Sequence, residues 1–160
     1  MTLPVEAQEL LLRPAVAADA YMLWLWANDA ESRAASFGRE PIAWEAHVVW
    51  LDGCLRSASH LVLIAGLGSG QPAGVIRFDT ADNWQTARLS YTIAPEVRGR
   101  GLALALVHAG TAAVRTQHRM VHVRAEVTRG NERSLRVFSQ AGGWVETETD
   151  GSDVVTFWYR

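Results

Sequence analysis

The sequence predicts a mixed α/β fold: one sheet of about seven strands, mostly antiparallel, with helices on both faces. Two observations lead there. The hydrophobic period switches repeatedly between helix-like and strand-like, giving the order β, α, α, β, β, β, α, β, α, β, β. Three consecutive strands form a meander that feeds a β-α-β-α unit, the layout of a sheet covered on both sides. At 160 residues with no repeat, low-complexity tract or linker, residues 1–160 read as a single domain.

The elements follow in order. Leu10 to Pro14 is a short apolar strand stopped by proline. Ala17 to Ala27 turns helical, with Tyr21, Trp24 and Leu25 at three- and four-residue spacings. Asn28 to Glu40 is polar and irregular, and Pro41 is placed to open a helix through Trp44, Val48 and Leu51 towards Leu55. Leu61 to Leu67 and Ala73 to Phe78 are strands joined by the turn Gly68-Ser69-Gly70-Gln71, and a third runs from about Gln85 to Ala94, where Pro95 ends it. Leu102 to Val114 is an Ala- and Leu-rich helix, Val121 to Val127 a strand, and Asn131 to Ala141 a helix stopped by Gly142-Gly143. Val145 to Thr149 and Val154 to Tyr159 flank Asp150-Gly151-Ser152-Asp153, a hairpin signature.

Composition removes several functions. The formal net charge is −2, so no global basic field attracts nucleic acid or anionic lipid. All fifteen basic residues are Arg, which excludes a Schiff-base lysine and a P-loop lysine. The single Cys54 excludes an intrachain disulfide and any multi-Cys metal site, and reads as a buried, inert thiol. His118 and His122 share a face but lack a third ligand, so no metal is expected. The start, MTLPVEAQELLLRP, lacks a signal-peptide pattern and no run is long enough to span a membrane; a cytoplasmic protein is expected.

The stretch Ile93 to Ala103 is the most informative. A strand ends, a turn holds Gly99 and Gly101 with Arg98 and Arg100, and a helix begins at once. Unpaired N–H groups and the positive end of the macrodipole make such a turn suited to a phosphate. The bland alternative is an ordinary connection that uses glycine for its geometry. Leu104 breaks a dinucleotide fingerprint, and the missing lysine breaks a Walker loop.

What Arg98-Gly99-Arg100-Gly101-Leu102-Ala103 does resemble is R-x-x-G-x-A, the pyrophosphate signature of the GNAT superfamily of acyl-CoA N-acyltransferases. The helix Asn131 to Phe138 followed by Gly143-Trp144 is similar to a second motif of that family, and the element order is also theirs. Trp26-Ala27-Asn28-Asp29, Arg33, Ser36-Phe37, Ile42, His47 and Trp50 resemble the pattern of amino-sugar N-acetyltransferases. The nearest likeness is to those acting on UDP-linked 4-amino-4,6-dideoxy sugars in pseudaminic acid synthesis; ribosomal-protein alanine N-acetyltransferases share part of it. The resemblance implies an acetyl-CoA-dependent N-acetyltransferase acting on a small-molecule amine. The alternatives are a protein N-terminal acetyltransferase and a non-catalytic acyl-CoA-binding module.

It also implies a site. Thr92, Ile93, Arg98, Gly99, Arg100, Gly101, Leu102, Ala103, Asn131, Ser134 and Phe138 fall where the family holds acetyl-CoA, with a backbone N–H between Tyr91 and Ile93 as an oxyanion donor. Trp26, Asn28, Arg33, His47 and Trp50 fall where the acceptor is met, though helix packing is the plainer reading of Trp24 and Trp50, and cap or surface roles account equally for Asn28 and Arg33. In the strand Val121 to Val127 the even positions are polar, and Glu126 is either a proton acceptor or half of an ion pair with Arg124 or His122. Many GNAT enzymes carry a tyrosine seven residues after the motif Asn, but here that position is Phe138. Ser134, Tyr91 or a water remain as replacements for that acid. Family members often pair through terminal strands, and Val154 to Tyr159 is a candidate edge for a homodimer.

Overall fold

The structure, a computed structural model, describes residues 9–147 and 151–160. Readings that involve residues 1–8, the end of the strand expected at Val145 to Thr149, and Asp150 of the hairpin turn lie outside the described residues. The strands are β1 (Leu11–Pro14), β2 (His60–Gly66), β3 (Pro72–Asp79), β4 (Thr86–Ile93), β5 (His122–Thr128), β6 (Trp144–Thr147) and β7 (Val154–Tyr159). The helices are α1 (Ala20–Asn28), α2 (Ala30–Ala35), α3 (Trp44–Arg56), α4 (Leu102–Gln117) and α5 (Glu132–Gln140), with single 3-10 turns at Ala17–Asp19 and Pro95–Val97.

The strands form one sheet in the order β1-β2-β3-β4-β5-β7-β6. All neighbours are antiparallel except β4 and β5, which run parallel. Side chains alternate between the faces. Ile76, Phe78, Ala87, Leu89, Val123, Ala125 and Phe157 point to one side and form a core with α4 and α5. Val62, Ile64 and Ala73 point to the other and pack with Leu23, Trp26, Leu51 and Cys54 of α1 and α3.

Three expectations are corrected. A helix, α2, interrupts the stretch expected to be irregular, with Asp29 as its cap accepting from the Ser32 N–H. Pro41 does not open α3, which starts at Trp44. The reason is the neighbouring Ile42, whose N–H donates to Asn28 Oδ1 at 2.7 Å and whose carbonyl accepts from Asn28 Nδ2 and Trp24 Nε1. That clamp ties the segment to α1. Finally, β7 is no edge: it is inserted between β5 and β6, so both of its sides are already paired. Among the described strands β1 and β6 are the edges.

Two features aim the helix α4 at the centre of the sheet. Gly110 lets it approach closely: a Cβ there would lie 2.4 Å from Ile76 Cδ1, in a fully buried side chain. Gly99 and Gly101 both have positive φ, 77° and 73°, which turns the chain sharply into its first turn.

Candidate active site

The one parallel pair sets the site. β4 and β5 are in register from Thr86↔His122 only as far as Leu89↔Ala125. Beyond that point Ser90 to Ile93 pairs with β3 alone, and Glu126 to Thr128 with β7 alone. The strands part, leaving backbone groups unpaired in the gap. The Ala94 N–H donates to Ala73 O on the β3 side, so by alternation the N–H groups of Tyr91 and Ile93 face the gap. A cleft of about 590 Å³ runs through it, from α5 on one face to α1–α3 on the other.

On the α5 side, Asn131 caps the helix by accepting from the Ser134 N–H. Ser134 Oγ lies 2.9 Å from the Tyr91 hydroxyl, in hydrogen-bond contact. Burial pushes the Tyr91 phenol up from its ordinary value, and the Ser134 contact opposes this in part. Phe138 sits one turn further along, packed against Phe157 and Trp144, and closes the inner wall of the cleft.

On the opposite side, Thr92, Glu126, Arg77 and Arg88 stand on the floor, with Trp26, Arg33, His47 and Trp50 above. Glu126 is in ion-pair contact with Arg124, and its other oxygen lies 3.9 Å from Arg88. His47 is buried, its Nε2–H donating to the Ala20 carbonyl at 2.8 Å, and burial lowers its pKa. Arg33 donates to the carbonyls of Ala27 and Gly38 and to Ser36 Oγ, shaping the cleft wall. Asn28 does not line the cleft, because its amide is spent on Ile42.

The glycine turn lies beyond the cleft lining, at the head of α4. Gly99, Arg100 and Gly101 are exposed, and Leu102 is buried beneath Ala103. The Gly101 cap offers no side chain, so the first N–H groups of α4 have no side-chain partner, and a Cβ on either glycine would meet only open space. These donors suit a pyrophosphate. Arg98 does not add charge there. Its guanidinium turns away to Asp29 (2.7 Å), Glu31 (3.0 Å) and Ser32 Oγ (3.1 Å).

Sequence reasoning missed Arg77 and Arg88. The signal was alternation: Arg77 and Asp79 of β3 and Thr86, Arg88, Ser90 and Thr92 of β4 put polar side chains on the same face as Glu126. His118 stacks on Trp84 and His122 is exposed on β5; no group of three metal-ligating side chains occurs among the described residues.

The site combines a sheet split at one parallel pair, a helix start with no side-chain cap on one side and a two-faced cleft through the gap, an arrangement that suits an extended ligand with a phosphate at one end. The sequence matches the acetyltransferase (GNAT) domain over residues 9–143, and the chain belongs to that family. It is an acetyl-CoA-dependent N-acetyltransferase of GNAT type. Among solved structures, it is similar to spermidine N-acetyltransferase from Vibrio cholerae in complex with CoA and spermine. The identity is 17%, with 95% of each chain covered and a TM-score of 0.82. It is also similar to AAC(6')-Ib in complex with ribostamycin and coenzyme A, at 20% identity over 94% of this chain and 92% of that one, with a TM-score of 0.79. No curated protein sequence matches the chain. No helix among the described residues is long and apolar enough to cross a membrane.

Proposed function

We propose that the chain transfers acetyl to the primary amine of a nucleotide-linked amino sugar, with Glu126 and Tyr91 moving the protons. The observation that carries the chemistry is their placement. Both lie just past Leu89↔Ala125, where the strands part, Glu126 on the acceptor face and Tyr91 on the α5 face. Acetyl-CoA, held at the α4 start, supplies an activated thioester. A new N–C bond forms as the C–S bond breaks. The nitrogen loses its proton towards Glu126, directly or through water, and the leaving sulfur takes one from the Tyr91 hydroxyl. Nitrogen bonded to the acyl carbon is far more acidic than a free ammonium, which eases that transfer. The backbone N–H of Tyr91 or Ile93 would stabilise charge on the acyl oxygen. Ser134 orients the Tyr91 hydroxyl.

The substrate class rests on the cleft's charge and on the sequence pattern that forms its wall. Spermine and ribostamycin are polycations. Here the charged side chains lining the cleft are Arg33, Arg77, Arg88 and Glu126, a poor match for such molecules.

The test is twofold. Saturating acetyl-CoA, at about 100 times its dissociation constant, should stabilise the protein by about 2.7 kcal/mol. For this size that raises Tm by about 5–10 °C, and Gly101→Glu should abolish the rise. CoA thiol release should then be detected with UDP-linked amino sugars and not with spermidine. Turnover of peptide N-termini with none on amino sugars would overturn the acceptor assignment.

A further inference from the structure

The cleft floor holds more positive charge than the chemistry uses. Arg77, Arg88 and Arg124 project from β3, β4 and β5 to one face of the sheet. In the sheet register Arg88 stands between Asp79 of β3 and Arg124 of β5. Two carboxylates, Asp79 and Glu126, offset these three guanidinium groups only in part. Glu126 is engaged by Arg124, and Arg88 is 3.9 Å from Glu126 and 3.7 Å from Asp79, too far for a hydrogen bond to either. Arg77 gives its Nε–H to Asp79 at 2.9 Å, and its guanidinium lies 5.1 Å from the centre of the Trp50 ring. Among the described residues, the terminal nitrogens of Arg77 and all those of Arg88 make no hydrogen bond. Both side chains line the cleft, 26% and 42% exposed, so they are within reach of a ligand yet walled in by protein. Unspent planar donors, side by side, suit anionic oxygens.

We propose that Arg77 and Arg88 form an anion subsite that takes an acidic group of the acceptor, phosphate or carboxylate, and so directs its amine towards Glu126. This deepens the amino-sugar reading and rests on the transferase assignment. Trp50, stacked against Arg77, restrains its guanidinium. The pair is a specificity device: it favours amines that carry an acidic group and repels polycationic ones.

The experiment titrates wild-type protein, first saturated with CoA so that the α4 turn is filled, with uridine diphosphate and separately with succinate, by calorimetry. At least one should bind, and Arg88→Gln should weaken it about tenfold or more. Arg77→Gln should act in the same direction, and Arg88→Lys should retain part of the affinity. Unchanged CoA affinity in each variant shows that the fold and the cofactor side are intact. Binding of the diphosphate alone identifies a phosphate site, and binding of succinate alone a carboxylate site. No binding of either probe, or equal binding by Arg88→Gln, overturns the subsite and leaves the transferase reading standing. Failure of CoA itself to bind overturns that reading instead.

Discussion

Phe138 stands where the family resemblance calls for a tyrosine, and the proposed acid, Tyr91, stands on β4 instead. The position expected to carry the thiolate's acid is a phenylalanine sealed against Phe157 and Trp144, while among the described residues the one phenol lining the cleft is Tyr91 of β4. Burial keeps Tyr91 protonated well past neutrality, the state an acid requires. Tyr91→Phe removes one oxygen and leaves the ring. It should lower kcat for CoA thiol release about a hundredfold, with acetyl-CoA affinity unchanged; Ser134→Ala should cost less, since it only orients the hydroxyl. Undiminished kcat in Tyr91→Phe would show that water protonates the sulfur. Glu126 stood out in the sequence because it is polar where a covered strand called for apolar packing, whereas Tyr91 and Ser134 entered only through the family resemblance. Arg77 and Arg88 likewise sit on the polar face of their strands. Alternation shows which face a side chain takes, but only the tertiary placement of α1 and α3 shows that a cleft lies above it.

The helix α2 shows where local sequence stops being informative. Its six residues, Ala-Glu-Ser-Arg-Ala-Ala, carry no apolar stripe, and isolated helices this short are unstable in water. What holds it is the Asp29 cap together with Arg98, which arrives from the far side of the cofactor turn to bind Asp29, Glu31 and Ser32. Arg133 of α5 reaches Glu31 as well, at 3.0 Å. The wall of the cleft that α2 forms is thus strapped both to the glycine turn and to α5. Arg98→Ala should destabilise the protein by about 1–2 kcal/mol, read from urea melts. It should also raise amide exchange across residues 30–35 and the acceptor KM more than it alters acetyl-CoA affinity. Unchanged exchange there would mean that the Asp29 cap alone maintains α2. The long strands and α3–α5 were legible because apolar spacing and glycine punctuation agree with the fold. The order β5-β7-β6 was not, since insertion of the last strand between two earlier ones is decided by non-local pairing.

Across the whole molecule, three buried or paired groups make stability fall with acid in two separate stages. His47, between the Trp44 and Trp50 rings, has its pKa pushed below the ordinary 6.5 by burial. As pH falls through about 6.5 the unfolded chain takes up this proton before the native one does, so stability declines until the native His47 also protonates. The second stage belongs to carboxylates. Arg13 bonds both oxygens of Asp19 at 2.8 Å, and Arg98 bonds Asp29; each guanidinium holds its partner's carboxyl below the ordinary 3.8. Their contribution is complete above that value and is lost as pH falls through the depressed native values, because the unfolded chain again protonates first. Urea melts from pH 8 downward should therefore show a first loss beginning near 6.5, a slower interval, then a second loss below 3.8. His47→Gln keeps an N–H for the Ala20 carbonyl but cannot titrate, so it should erase the first stage and spare the second. A first stage that survives in His47→Gln would move its origin to another histidine, and would leave the neutral His47 of the cleft wall without a measurable role in stability.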